Sequence, residues 1–482
     1  MKKTLVPFIT LPLLLLAACA PTGSSISDTT GTPTYDAFYQ APNVDLTYYD
    51  ISRAAGMDGI PSIGTTNLLV IPVVIEGYEA NANSEVHGDI EKMMFGEEAE
   101  TSWQSVASFY HQSSYGRLTL SGLVTDWFYT GYTIAEMEQR ESSRRDAVEK
   151  LLYEAVNWVK TTQNQIEITD YDNDDDGHID AVWLVYSAPS NVSDLFWAFV
   201  SWNFYNSNNK NVANPTPYTY GWASYDFMYE GYGPDGLDAH TFIHETGHLL
   251  GLDDYYDYDG KTSPMGAIDM MDNNIIDHNG YSKFALGWTN PYVVTGDADI
   301  ELLPASSSGQ SILLTHDWNG NPFDEYLLIE LYTPDGLNEK DAVAAYPGNF
   351  RRGFTIPGIR MYHVDSRLFK PNSGEYVDDL ISGSYVGASN SSSWATITDH
   401  KSSFKLLSVV DAAKNTRYMA SALAIASDKT LFKSGMTFTF EEYKTAFPLG
   451  SKMTMNDGSI FPYTIEFAEV NSQFAQVKIR AN

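Results

Sequence analysis

Apolar residues follow one rhythm in the first three-fifths of this chain and another beyond residue 296. "NLLVIPVVIEG" (67–77) is a continuous apolar run of the length a buried strand needs. "SVASFYHQSSYGRLTLSGLVTDWFY" (105–129) predicts a helix, a turn at Gly116 and a strand with alternating faces. Over 142–160, Val148, Leu151, Leu152, Ala155, Val156 and Val159 recur at helical spacing, so that helix buries one face. An acidic loop follows, then a strand over "DAVWLVYS" (180–187), a polar aromatic stretch, and a second helix over 237–250. Phe242, Ile243, Leu249 and Leu250 of that helix can face a core.

Past residue 296 the pattern shortens. "SILLTHDW" (311–318), "EYLLIELY" (325–332), "GIRMYHVD" (358–365), "FKLLSVVD" (404–411), "MTFTFEEY" (436–443), "YTIEFAEV" (463–470) and "AQVKIRAN" (475–482) read as short strands between Gly, Asn, Asp and Ser turns. Together the two rhythms predict an α+β chain. A catalytic-sized α and β region at 67–295 precedes a β-sandwich-like domain at 296–482, with no internal repeat.

Composition sharpens the picture at the N-terminus. Lys2 and Lys3, a largely apolar run over 5–16, and Leu16-Ala17-Ala18-Cys19 form an export signal (1–19) ending in a bacterial lipobox. Cys19 is the only cysteine, so no intrachain disulfide is possible, and it stands where a lipid would be attached. Residues 20–66, rich in Gly, Pro, Ser and Thr over their first half, read as a tether or short pro-segment. The expected location is the bacterial cell envelope, with the chain held to a membrane by acyl chains and its bulk in water. With 29 basic against 62 acidic residues, the formal net charge of −33 repels phosphate backbones, so no nucleic-acid partner is expected. The 13% aromatic content gives ample surface for a packed core.

"HETGHLLGLDDYYD" (244–257) carries the chemistry. On a helix His244 and His248 lie one turn apart on one face and can reach one ion, while Glu245 is displaced sideways, able to reach a water but not the metal. This HExxH spacing is that of zinc peptidases. Gly251 ends the helix and lets the chain turn. His240 and His248 are separated by roughly 12 Å of helix axis, too far to share one ion with His244. No glutamate occurs between Glu245 and Glu301. The spacing His-x-x-Gly-x-x-Asp selects Asp254 as third ligand, just past the turn.

HExxHxxGxxD resembles the metzincin signature, with aspartate in place of the usual third histidine. That resemblance makes "GAIDMMDNN" (266–274) similar to the methionine turn beneath the metal, with Met271 as a packing floor. More closely, the chain resembles the immune inhibitor A family of secreted bacterial metallopeptidases, through ordered blocks spanning about 67–366. These are "NLLVIPVVIEG", "SFYHQSSYGRLTLSG", "DYDNDDDGHIDAVWLVY", "HETGHLLGLDDYYD", "GAIDMMDNN", "YSKFALGWTNP", "EYLLIEL" and "GIRMYHVDS". The resemblance implies a metzincin-like catalytic domain, built on a mixed sheet and an active-site helix. It further implies a zinc cofactor and protein or peptide substrates. One position departs: the family usually has Gly-Leu-Pro-Asp where this chain has Gly-Leu-Asp-Asp, so Asp253 offers a second carboxylate that could compete with Asp254.

A second cation is expected at "DNDDDGHID" (172–180). Alternate Asp172, Asp174 and Asp176 before Gly177 suit calcium, and His178 and Asp180 are further candidates. Position twelve of an EF-hand would be Glu; here it is Trp183, so the loop is only EF-like.

The expected activity is peptide-bond hydrolysis with Glu245 as general base, and Tyr255, Tyr256 or Tyr281 are candidate phenols for the oxyanion. His363, on a strand far from the motif, reads as structural. A surface binding lipoprotein with a silent metal site, and a zinc amidase acting on non-protein substrates, stay open on sequence alone.

Overall fold

The computed structural model describes residues 35–140, 144–203, 208–231, 236–347, 350–370, 376–377, 387–391 and 404–482. Cys19, the export signal and the tether up to residue 34 lie outside the described residues. From Asp36 to Asn482 the chain forms one compact unit.

The first sheet is mostly parallel. Its strands run β3 (Leu118–Val124), β2 (Gly64–Val74), β6 (Val182–Tyr186), β9 (Thr219–Ser224) and β7 (Phe199–Trp202), with β4 (Phe128–Tyr129) continuing alongside β2. Only β7 pairs antiparallel, at the edge. Period-two alternation sorts the side chains. Leu69, Ile71, Val73, Val182 and Leu184 enter one core together with Val148, Leu151, Leu152, Ala155, Val156 and Val159 of the long helix Arg144–Thr162. These six helical positions are the ones whose spacing predicted the helix. Leu68, Val70, Trp183 and Val185 face the other way, into a core shared with three helices, Ser84–Phe95, Val106–Ser113 and His240–Leu249. Two short strands, β5 (His178–Ile179) and β8 (Thr216–Pro217), pair beside this sheet.

The second sheet has nine strands, in the order β14 (Leu407–Val409), β13 (Gly358–Asp365), β12 (Glu325–Tyr332), β11 (Ile312–Leu314), β10 (Tyr292–Leu302), β17 (Ala475–Ala481), β16 (Tyr463–Val470) and β15 (Met436–Phe438), with β1 (Asp36–Gln40) also on β10. The expected sandwich is thus one continuous sheet, and β10 is the reason. Eleven residues long, it carries β11 in parallel on its first residues and β17 antiparallel on its last. The two halves then share one core, with Leu327, Ile329 and Met361 packed alongside Ile465, Phe467 and Val477. "MTFTFEEY" is strand only to Phe438; Thr439 caps a short helix by accepting from Glu442 N, which ends the strand.

The boundaries expected at 66/67 and 295/296 shift as a result. Strand β10 straddles the second. Residues 36–60, part of the stretch expected as tether or short pro-segment, are built into the unit: Phe38 pairs with Val294 and its ring meets Tyr292 edge-on at 5.5 Å. Helix α1 (Tyr48–Ala54) packs Tyr48 against Tyr281, their hydroxyls 2.7 Å apart, and Ile60 N donates to Leu249 O at 2.9 Å. A Gly- and Pro-containing stretch can still be ordered when its apolar residues find partners far along the chain.

Candidate metal centre

The helix His240–Leu249 ends in a Schellman turn. Gly251 takes φ +92°, and Leu252 N donates back to Gly247 O at 3.0 Å. A side chain at Gly251 would also strike Ser52 Oγ and Tyr48, so α1 seals this end of the helix. The reversal returns the chain beside the histidine face.

There, one nitrogen of each imidazole is tied to a backbone carbonyl. His244 Nδ1 lies 2.8 Å from Met270 O, and His248 Nδ1 lies 2.9 Å from Leu252 O. Each Nδ1–H donates to its carbonyl, so Nε2 is the atom of each ring that can give a lone pair once its own proton is lost. Asp254 Oδ1 lies 2.9 Å from His244 Nε2 and 3.5 Å from His248 Nε2. The ligand-type atoms of His244, His248 and Asp254 all fall within 4.8 Å of one another. Burial works against charge on both rings, but Asp254 overrides it, raising His244 and lifting His248 to about 10. Conversely, the two imidazoles outweigh burial and hold Asp254 well below the usual carboxylate range. A divalent cation at these three side chains would therefore compete with protons.

Glu245 is buried on the same helix, and its charge acts on both histidines. Beneath the helix lies Met271, fully buried. A β-carbon on Gly247 would come within 2.4 Å of its sulfur, so glycine is what lets the thioether sit under the histidine turn. The methionine segment holds the site in three ways. Met270 O orients His244, Met271 O accepts Tyr255 N at 2.7 Å just after Asp254, and Asp269 Oδ1 accepts Met271 N at 2.9 Å.

Asp253 does not join the cluster. Desolvation pushes its carboxyl up to about 6, with the charge of Asp254 adding to it, while a hydrogen bond from Ser389 and the charge of His248 work the other way. Of the three candidate phenols, two point elsewhere: Tyr255 OH bonds Ser282 Oγ at 2.6 Å and Tyr281 OH bonds Tyr48. Tyr256 stands at the rim, 36% exposed, with its hydroxyl turned to Asp254, whose charge, after burial, pushes it up. Sequence reasoning missed Tyr258, whose hydroxyl donates to Asp254 Oδ2. Only its place four residues past Asp254 hinted at it. His240 is held by Asp238 at 2.8 Å and lies outside the cluster, as the helical rise requires. His363 bonds Glu325 at 2.7 Å within the second sheet.

In the acidic loop, Asp172, Asp174 and Asp176 offer oxygens within 4.8 Å of one another. His178 and Asp180 do not join them. His178 stacks on Tyr218 at 4.8 Å with Nδ1 3.2 Å from Thr216 Oγ1, and Asp180 Oδ2 accepts Asn173 N at 2.7 Å. The loop's own amides bind the clustered carboxylates: Gly177 N donates to Asp172 Oδ2 at 2.9 Å and His178 N to Asp176 Oδ1 at 2.8 Å. Lys210 pairs with Asp176, and Arg53 lies 3.2 Å from Asp174.

No family model matches this chain, and no curated protein does. Among the described residues, no helix is long and apolar enough to cross a membrane.

Proposed function

We propose that this chain is a zinc-dependent endopeptidase of metzincin-like type, related to the immune inhibitor A metallopeptidases. The reading rests on one observation: two Nε2 atoms, freed by carbonyls on their Nδ1 partners, converge with the Asp254 carboxylate beside a buried glutamate. Two imidazoles and a carboxylate make a donor set suited to zinc with a position left open. When bound by His244, His248 and Asp254, zinc supplies a Lewis acid that brings the ionisation of a coordinated water toward neutrality and polarises a carbonyl.

The chain's own residues do the rest. Glu245 accepts the proton of the attacking water and hands it to the leaving amine, one group serving as base and then acid. Burial keeps bulk water from competing for that proton. The carbonyls of Met270 and Leu252 keep both rings at fixed angles, so the site is organised before substrate arrives. Calcium is assigned to Asp172, Asp174 and Asp176 as a structural ion. The acyl anchor at Cys19 places the enzyme at the cell envelope with protein or peptide substrates.

Glu245→Ala is the test. Casein or peptide hydrolysis should fall by about 10²–10⁴-fold while one equivalent of zinc stays bound. Undiminished hydrolysis in that variant would remove Glu245 from its role.

A further inference from the structure

The two oxygens of Asp254 have different partners. Oδ1 faces both imidazoles, at 2.9 Å from His244 Nε2 and 3.5 Å from His248 Nε2, while Oδ2 accepts the Tyr258 hydroxyl. The Tyr258 segment is itself fixed. Its backbone N–H donates to Ser391 Oγ at 2.9 Å, and Asn390 clamps the same stretch by donating to Tyr255 O at 2.8 Å and to Leu407 O at 2.9 Å. The ring of Tyr256 stands edge-on to Tyr258 at 5.3 Å.

We infer that Tyr258 is a positioning residue that keeps Asp254 a one-oxygen ligand. This rests on the zinc reading above. A carboxylate can grip a cation with one oxygen or with both. With two histidines and one oxygen, three donors leave the open position that hydrolysis needs; a second oxygen would crowd it. A hydroxyl donating to an ionised carboxylate makes a strong, directional bond, and it fixes the rotation of the carboxyl group about its own axis. A phenol does this without adding charge beside the ion, which a lysine would. Outer partners of this kind tune metal sites throughout proteins, and Tyr258 reaches inward from a rim where its side chain is otherwise 54% exposed.

The test loads the full chain with cobalt(II) and compares wild type, Tyr258→Phe and Tyr256→Phe. Wild type should bind one equivalent with the intense visible bands of a four-coordinate ion. Tyr258→Phe should still bind one equivalent, with those bands weakened several-fold as the second oxygen joins. Its zinc form should lose about 10–100-fold in kcat with KM nearly constant. Tyr256→Phe removes a second phenol turned to Asp254 but leaves the Tyr258 bond in place, so it should keep the intense spectrum. A wild-type spectrum in Tyr258→Phe, or loss of the bands in Tyr256→Phe instead, overturns the role given to Tyr258 and leaves the zinc centre standing. Wild-type protein that takes up neither cobalt nor zinc overturns the zinc centre and this inference together. Tyr258 sits at the surface, so the substitution leaves the core untouched, and an unchanged unfolding midpoint checks that.

Discussion

Two groups of ligand-type side chains lie within the same 4.8 Å span, one at the end of the helix His240–Leu249 and one in the acidic loop, yet they are built differently. In the first, every atom that would not face a cation has a fixed partner: Met270 O, Leu252 O and the Tyr258 hydroxyl. In the second, the carboxylates already meet cationic side chains of the chain itself, Lys210 and Arg53, and are bound by the loop's own amides. Proximity of ligand types is thus a weak criterion. The disposition of the remaining atoms separates a group whose Nε2 and Oδ1 atoms converge from a loop that meets its own charge with amides and cationic side chains.

The hardest way to break this comparison is to remove one member of each group. His248→Ala should reduce bound zinc from one equivalent to near none and hydrolysis to background. Asp174→Ala should leave both unchanged. Loss of zinc from Asp174→Ala, measured by metal analysis after gel filtration, would show that the two groups are not independent.

Next in size is the contrast within the Asp253–Asp254 pair. Asp254 meets both rings, whereas Asp253 stands outside the cluster and takes a hydrogen bond from Ser389. Asp254→Asn should weaken zinc binding by at least about 10–100-fold, the range seen even for outer partners. Asp253→Asn should bind zinc as wild type does in a chelator competition. The reverse order would move the third ligand by one residue.

How much of this was legible beforehand depends on the range of the interaction. The six apolar positions of the helix Arg144–Thr162 and the spacing around His244 are local repeats, and local repeats carry their own structure. Asp254 was readable because a glycine turn fixes where the next residues go. The Tyr258 hydrogen bond depends on Ser391 and Asn390, more than 130 residues away, and no spacing rule links them. Docking of residues 36–60 and the arrival of Lys210 at Asp176 are hidden for the same reason. His178 and Asp180 stand outside the acidic cluster because their side chains are engaged elsewhere, His178 with Thr216 and Asp180 with the Asn173 amide.

A smaller effect sharpens the acidic loop. If calcium displaces Lys210 and Arg53, then calcium in hundredfold excess over its dissociation constant stabilises the fold by about 2.7 kcal/mol. The unfolding midpoint then rises by several degrees. Lys210→Ala should tighten calcium binding and enlarge that rise, because it removes the competing cation. An unfolding midpoint indifferent to calcium and to chelator in both proteins would reduce the loop to an ion-paired turn.

A further effect lies under the candidate metal centre, at the buried Asp272. Burial, with the charge of Asp269 adding to it, pushes Asp272 up to about 7, while its Oδ2 accepts Ala267 N at 3.0 Å. A raised carboxyl favours the folded state only while it is protonated. Its contribution is full below the unfolded value near 3.8 and is lost as pH climbs toward about 7. Wild-type stability should therefore decline across that window, by about 1.4 kcal/mol for each pH unit separating the folded and unfolded ionisation midpoints. Asp272→Asn keeps an oxygen for Ala267 and cannot ionise, so its urea midpoint should decline less from pH 4 to pH 7. Equal slopes in the two metal-free proteins would mean that Asp272 ionises as freely as a solvated acid, and that the floor of the centre is wetter than its packing implies.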